Sequence, residues 1–204
     1  MTGRRILPLG HYLGPWHRAP GAPAQCHRVR VGREPRRLFS DEQFLAWVFA
    51  HGIPEELDAD PWTRASVQER GRQATGLELS EAVDDLLAEG LLVEVGPEEA
   101  DAAAFAAAHR LRGLKLGLGE DPAAPDGVLL GVPGQPAVAV SRFGYDVWLW
   151  GQRTPTLWSA CERIAQARAA EVLPELIETL HPLLATAVAY LDVAEDPDSG
   201  DAAY

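Results

Sequence analysis

Cysteine, methionine and lysine are nearly missing from this chain of 204 residues, with two of the first and one of each of the others. Cys26 and Cys161 are too few and too far apart for the disulfide framework of a small secreted domain, so free thiols are expected. Long apolar runs are missing too. The longest, FLAWVFA and GLLVEV, fall far short of the roughly 20 residues that a membrane-spanning helix needs, and the N-terminus lacks the apolar core of a signal peptide. The expectation is a soluble, cytoplasmic protein with no membrane contact. Also absent are a glycine-rich phosphate loop, a metal-protease helix and a serine elbow, and acids such as Asp84 and Asp85 have no recognisable partner for acid–base work. No catalytic residue and no cofactor is assigned, and the chain is read as a non-enzyme.

What is present is the composition of an ordinary globular protein, 47% hydrophobic and 24% charged, in a length that suits one large domain or two small ones. Arginine outnumbers lysine 17 to one, which together with abundant alanine and glycine reflects a GC-rich genome, so placement matters more than number. Residues 1–40 hold Arg4, Arg5, Arg18, Arg28, Arg30, Arg33, Arg36 and Arg37 against Glu34 alone, a net +7, whereas residues 41–204 carry −19. The total of −12 conceals a basic first segment on an acidic body, a division that marks partner contacts or self-neutralisation.

The chain also repeats itself. A slip of 101 residues brings Val31, Pro35, Ser40, Phe44 and Trp47 onto Val132, Pro136, Ser141, Tyr145 and Trp148. At a slip of 97, Glu81, Leu86, Leu87 and Ala88 meet Glu178, Leu183, Leu184 and Ala185, and Trp62 and Trp158 correspond at nearly the same offset. Shared register at both ends of a segment predicts two copies of one module. In the second copy GLKLGL (113–118), GVLLGV (127–132) and AVAV (137–140) have strand length and composition. Ser141 then stands where an N-cap would, Thr156 opens a second helix, and a third is expected from about Glu171 to Leu191 with Pro174 in its first turn. The first copy follows suit: strands at 4–9, 28–31 and 36–39, Ser40 capping a helix that Gly52 ends, then helices TRASVQERGRQ and ELSEAVDDLLAEG before a wing-like strand, LLVEV. The fold class expected is α+β: two tandem winged-helix-like modules, each a small antiparallel sheet plus three helices, related by internal duplication. The modules span 1–97 and 113–193, joined by a connecting helix over 98–112 whose charge order the helix dipole favours. An acidic tail, 194–204, is expected to be disordered.

The order sheet, capped helix, short helix, long helix, with the junction PAVAVSRFGYDVWLWG, resembles the PqqD-like family, also called RiPP recognition elements. The resemblance covers roughly 113–192 and more loosely 4–95, and it departs from the family in joining two modules. It implies a non-catalytic domain that takes an extended peptide onto an exposed sheet edge beside a long helix. Carried to this sequence, the edge is Ala137–Val140, with Val138 and Val140, beside Leu176 and Leu180; in the first copy it is Arg36–Phe39.

A peptide or protein partner is therefore expected, acidic where it meets Arg28, Arg30, Arg33, Arg36, Arg37 and Phe39. Alternation puts Arg28 and Arg30 on one strand face. A second role for these arginines is neutralisation of the chain's own acidic body. The alternative function is a winged-helix transcription regulator, which the charge disfavours: the groove-entering helix would carry Glu78, Glu81, Asp84, Asp85 and Glu89 with no base, against a polyanion. His11, His17, Cys26 and His27 lack chelating spacing and read as a Pro/Gly-rich connector, so no metal is assigned. Cys161 reads as packing. Trp150, two residues past Trp148, must point to another helix face and is expected at an interface, between the copies or with a partner.

Overall fold

The computed structural model describes residues 3–57, 61–96, 98–166 and 168–194. They form seven α-helices and four small antiparallel sheets. The chain opens with β1 (Arg5–Pro8), then a meander of β2 (His11–His17), β3 (Ala24–Val31) and β4 (Glu34–Leu38). Helices α1 (Asp41–Phe49), α2 (Arg64–Thr75) and α3 (Ser80–Ala88) follow, and β5 (Leu92–Val95) returns to pair antiparallel with β1. After α4 (Glu99–Ala108), β6 (His109–Gly113) leads into a meander of β7 (Leu116–Glu120), β8 (Gly127–Val132) and β9 (Gln135–Ser141). Then come α5 (Arg142–Gly151), α6 (Leu157–Ile164), α7 (Ala169–Ala185) and β10 (Ala189–Val193), which pairs with β6. Residues 5–95 and 109–193 thus carry the same order of elements. None of the described helices is long and apolar enough to cross a membrane.

Local chemistry accounts for the helix starts. The Ser40 hydroxyl accepts from the Gln43 amide at 3.1 Å and that of Ser141 from Gly144 at 3.0 Å, each satisfying a donor that the first helical turn leaves open. Thr63 and Thr156 do the same for α2 and α6. Two-residue turns join Val31 to Glu34 and Val132 to Gln135, with Gly32 and Gly134 at positive φ.

Several expectations are corrected. The connector reading of residues 11–27 fails, because HYLGPWH is a strand, β2, whose proline and glycine are accommodated by register shifts after Tyr12 and Trp16. The connecting helix stops at Ala108, and the residues expected to extend it form β6. The last helix ends at Ala185 rather than near Leu191, which lies in β10, and Pro174 sits inside α7 beyond its first turn. The strand LLVEV pairs back to β1 instead of forming a wing hairpin. Trp62 precedes the Thr63 cap whereas Trp158 follows the Thr156 cap, so the two are not equivalent. Residues 195–204 of the expected disordered tail lie outside the described residues.

The core lies in two clusters that meet at β1. Ile6 joins Val29, Leu38, Trp47 and Leu86, while Leu7, on the opposite strand face, joins Leu111, Trp148, Leu176 and Leu191. Both are fully buried. Leu9 extends this seam by a parallel bridge to Leu191, and the Gly10 amide donates to the Leu191 carbonyl at 2.7 Å.

Candidate functional site

The arginines of the first segment are ordered by the pleat of β3. Val29 is fully buried against the helices and the His27 ring stacks on Phe44 of α1 at 3.7 Å, so Arg28 and Arg30 stand on the opposite, outer face of the sheet. The β3–β4 register sets Arg37 across from Arg28 and Arg36 across from Val29. Arg33 occupies the turn. Arg33, Arg36 and Arg37 are exposed, and Phe39 beside them is 70% exposed.

Residues that sequence reasoning missed complete this face. Trp16 of β2 lies opposite Cys26, with the Arg37 guanidinium 5.8 Å from its ring centroid. From β10, the Tyr190 hydroxyl accepts a hydrogen bond from Arg30 Nη2 at 2.9 Å, and its ring lies 4.9 Å from that of His11. Burial, aided by the Arg30 charge, holds His11 below its ordinary pKa, so it adds a neutral ring to the face. The aromatic content of HYLGPWH was the available signal, masked by its glycine and proline.

None of Arg28, Arg30, Arg33, Arg36 and Arg37 forms an ion pair with a carboxylate of the described residues. Elsewhere six arginines are matched to carboxylates, among them Arg4 with Asp101 at 2.7 Å, Arg64 with Asp84 at 2.6 Å, Arg142 with Glu120 at 2.9 Å, and Arg70 with Glu56, whereas Arg5, Arg18, Arg153 and Arg163 form no ion pair with a described residue. The buried Nε atoms of Arg28 and Arg30 have no hydrogen-bond partner among the described residues.

In the second half, β9 is likewise the outer strand of its sheet. Val138 is half-buried and Val140 buried. A cleft of about 300 Å³ separates the end of β9 from α7. The helix face on it is Glu175, Glu178, Thr179 and Pro182; the expected Leu176 and Leu180 are fully buried on the other side, in the core. Arg163 of α6 lies over the Trp150 ring at 4.9 Å, a contact within the second half. Of the four outer strands of the two meanders, β4 and β9 carry proline second, Pro35 and Pro136, and so lack an amide donor there.

The remaining candidates disperse. His17 Nδ1–H donates to the Ala22 carbonyl, and His27 shares a hydrogen bond with the Tyr12 hydroxyl. No three His, Cys, Asp or Glu side chains converge among the described residues. Cys161 is fully buried, and that burial pushes its thiol up to about 11, which keeps it protonated near neutral pH. No family model, curated protein or solved structure matches the chain.

Proposed function

We propose that this chain is a non-catalytic adaptor, a tandem of two winged-helix-like modules, that holds an acidic, extended segment of a partner protein against the arginine-bearing sheet β2–β4. The observation that carries the reading is that five arginines gathered on one small sheet have no carboxylate partner among the described residues, while six arginines elsewhere in the chain have one. Like charges gathered without counter-charges repel one another, and an acidic ligand relieves that repulsion. Residues two apart on a strand project on one face about 7 Å apart, a spacing that an extended peptide with alternate acids repeats. The aromatic flank, Trp16 and Phe39, supplies apolar contact area beside the charge. The repeated element order, with Ser40 and Ser141 each capping the helix after a meander, supports the tandem reading. Acidic third helices, with Glu81, Asp84 and Asp85 exposed, favour a protein ligand over a DNA groove.

The test is fluorescence anisotropy of the full chain with a labelled peptide of alternating glutamate and valine. Joint replacement Arg36→Glu and Arg37→Glu is expected to weaken binding at least about tenfold with an unchanged melting temperature. A fall in melting temperature with binding intact assigns these arginines to internal neutralisation. Salt-resistant, sequence-specific binding of duplex DNA overturns the adaptor reading in favour of a transcription regulator.

A further inference from the structure

Where β1 and β5 meet α4 and α7, a cavity of about 180 Å³ opens between the two halves of the chain. Val95, Ala102, Leu173 and Ile177, all core residues, form its apolar walls. Its polar groups are three charged side chains on different elements: Arg5 of β1, Glu99 of α4 and Glu178 of α7.

Arg5 is the unusual member. Its neighbour Arg4 is committed to the Asp101 carboxylate and the Glu94 carbonyl, but the Arg5 side chain makes neither a hydrogen bond nor an ion pair with any described residue. Burial disfavours its charged form, and the attraction of Glu178, which lies beyond ion-pair distance, opposes that only in part. A half-buried guanidinium whose donors meet no acceptor of the described residues is open to a ligand's acceptor in the space before it.

The charges also define what fits. A purely anionic ligand would satisfy Arg5 but meet two carboxylates, and a purely cationic one would satisfy the carboxylates but meet Arg5. A zwitterion with an apolar body matches all three and the walls. The volume equals that of roughly six waters and lies below the roughly 300 Å³ at which drug-sized pockets begin, so the body must be small. We propose that this cavity binds an aliphatic α-amino acid of about leucine size, its carboxylate on Arg5, its ammonium toward Glu178 and Glu99, and its side chain against Leu173 and Ile177. Because both halves contribute walls, the ligand braces one against the other. This site is separate from the arginine-bearing sheet.

Isothermal titration calorimetry on the full chain tests it with L-leucine, with 4-methylpentanoate, which lacks the ammonium, and with 3-methylbutylamine, which lacks the carboxylate. Leucine is expected to bind saturably, with each analogue at least about tenfold weaker. Arg5→Gln and Glu178→Gln are each expected to weaken leucine at least about tenfold while leaving the acidic-peptide affinity unchanged. Should either variant fail to fold, Ala102→Leu, which fills the cavity and spares its charges, is expected to abolish the leucine heat. Equal binding of 4-methylpentanoate and leucine, leucine binding untouched by these variants, or no binding at about 10 mM leucine overturns the proposal.

Discussion

His181 and His51 show how little a residue's type says about its chemistry until its neighbours are known. Neither was singled out in the sequence, where each stands on or beside a helix rich in apolar residues. His181 is 1% exposed, its Nε2–H donates to the Ile6 carbonyl at 2.9 Å, and burial with the nearby Arg5 charge lowers its pKa to about 3. Burial lowers His51 to about 4 against the opposing pull of the Trp47 and Val48 carbonyls. Both are neutral in the fold at pH 7, whereas in the unfolded chain they titrate near 6.5. Their contribution to stability is complete above about pH 6.5 and is lost as pH falls toward 4 and then 3, because the unfolded chain takes up protons that the fold refuses. Unfolding in urea at about pH 7 and about pH 5 should show the loss, with a slope of up to about 1.4 kcal/mol per pH unit for each histidine. His181→Gln should flatten the profile.

At the scale of elements, β4 and β9 are outer strands of their sheets, as β2 and β7 are, and β4 and β9 are each blunted by a proline at the second position. Pro35 and Pro136 follow hairpin turns of the same length, so each sits where a further strand would begin to pair. Pro136→Thr restores an amide donor and a β-favouring side chain, and should promote self-association, measured as a rise in sedimentation coefficient with concentration. Among the elements that sequence patterns identified, the serine-capped helices α1 and α5, and strands β3, β4, β8 and β9 flanking tight turns, carry the clearest short-range signals. Strand β2 escaped because Gly14 and Pro15 interrupt its pattern, and the structure absorbs them with register shifts on an outer strand, where ladder hydrogen bonds are needed on one side only.

For the whole molecule, β1 is the wall that both cores share. Its residues alternate between them, Ile6 into one and Leu7 into the other, so a change on either face is felt across the chain. Leu7→Ala removes a fully buried side chain and should cost about 2–5 kcal/mol, read from the urea midpoint. Unfolding should remain a single transition for wild type and variant, monitored at once by tryptophan fluorescence and circular dichroism, because the seam from Leu9 to Leu191 couples the halves. The Asp192 carboxylate, 2% exposed, strengthens that seam by accepting from the Gly32 amide in the β3–β4 turn.

The sequence by itself determined what neighbouring residues decide among themselves: the helix caps at Ser40 and Ser141, the turns at Gly32 and Gly134, the apolar stripes, and the gathering of Arg28, Arg30, Arg36 and Arg37 on adjacent strands. Only the tertiary structure decided the fates of His109–Gly113 and Ala189–Val193. The first continues an alanine-rich helix and the second a leucine-rich one, yet each becomes a strand because the other lies beside it. Local periodicity cannot register a partner about 80 residues away in the chain, and backbone hydrogen bonding with that partner overrides helix propensity. The same holds for the cavity around Arg5, whose walls come from the two ends of the chain and its middle. It exists only once β1, α4 and α7 have packed.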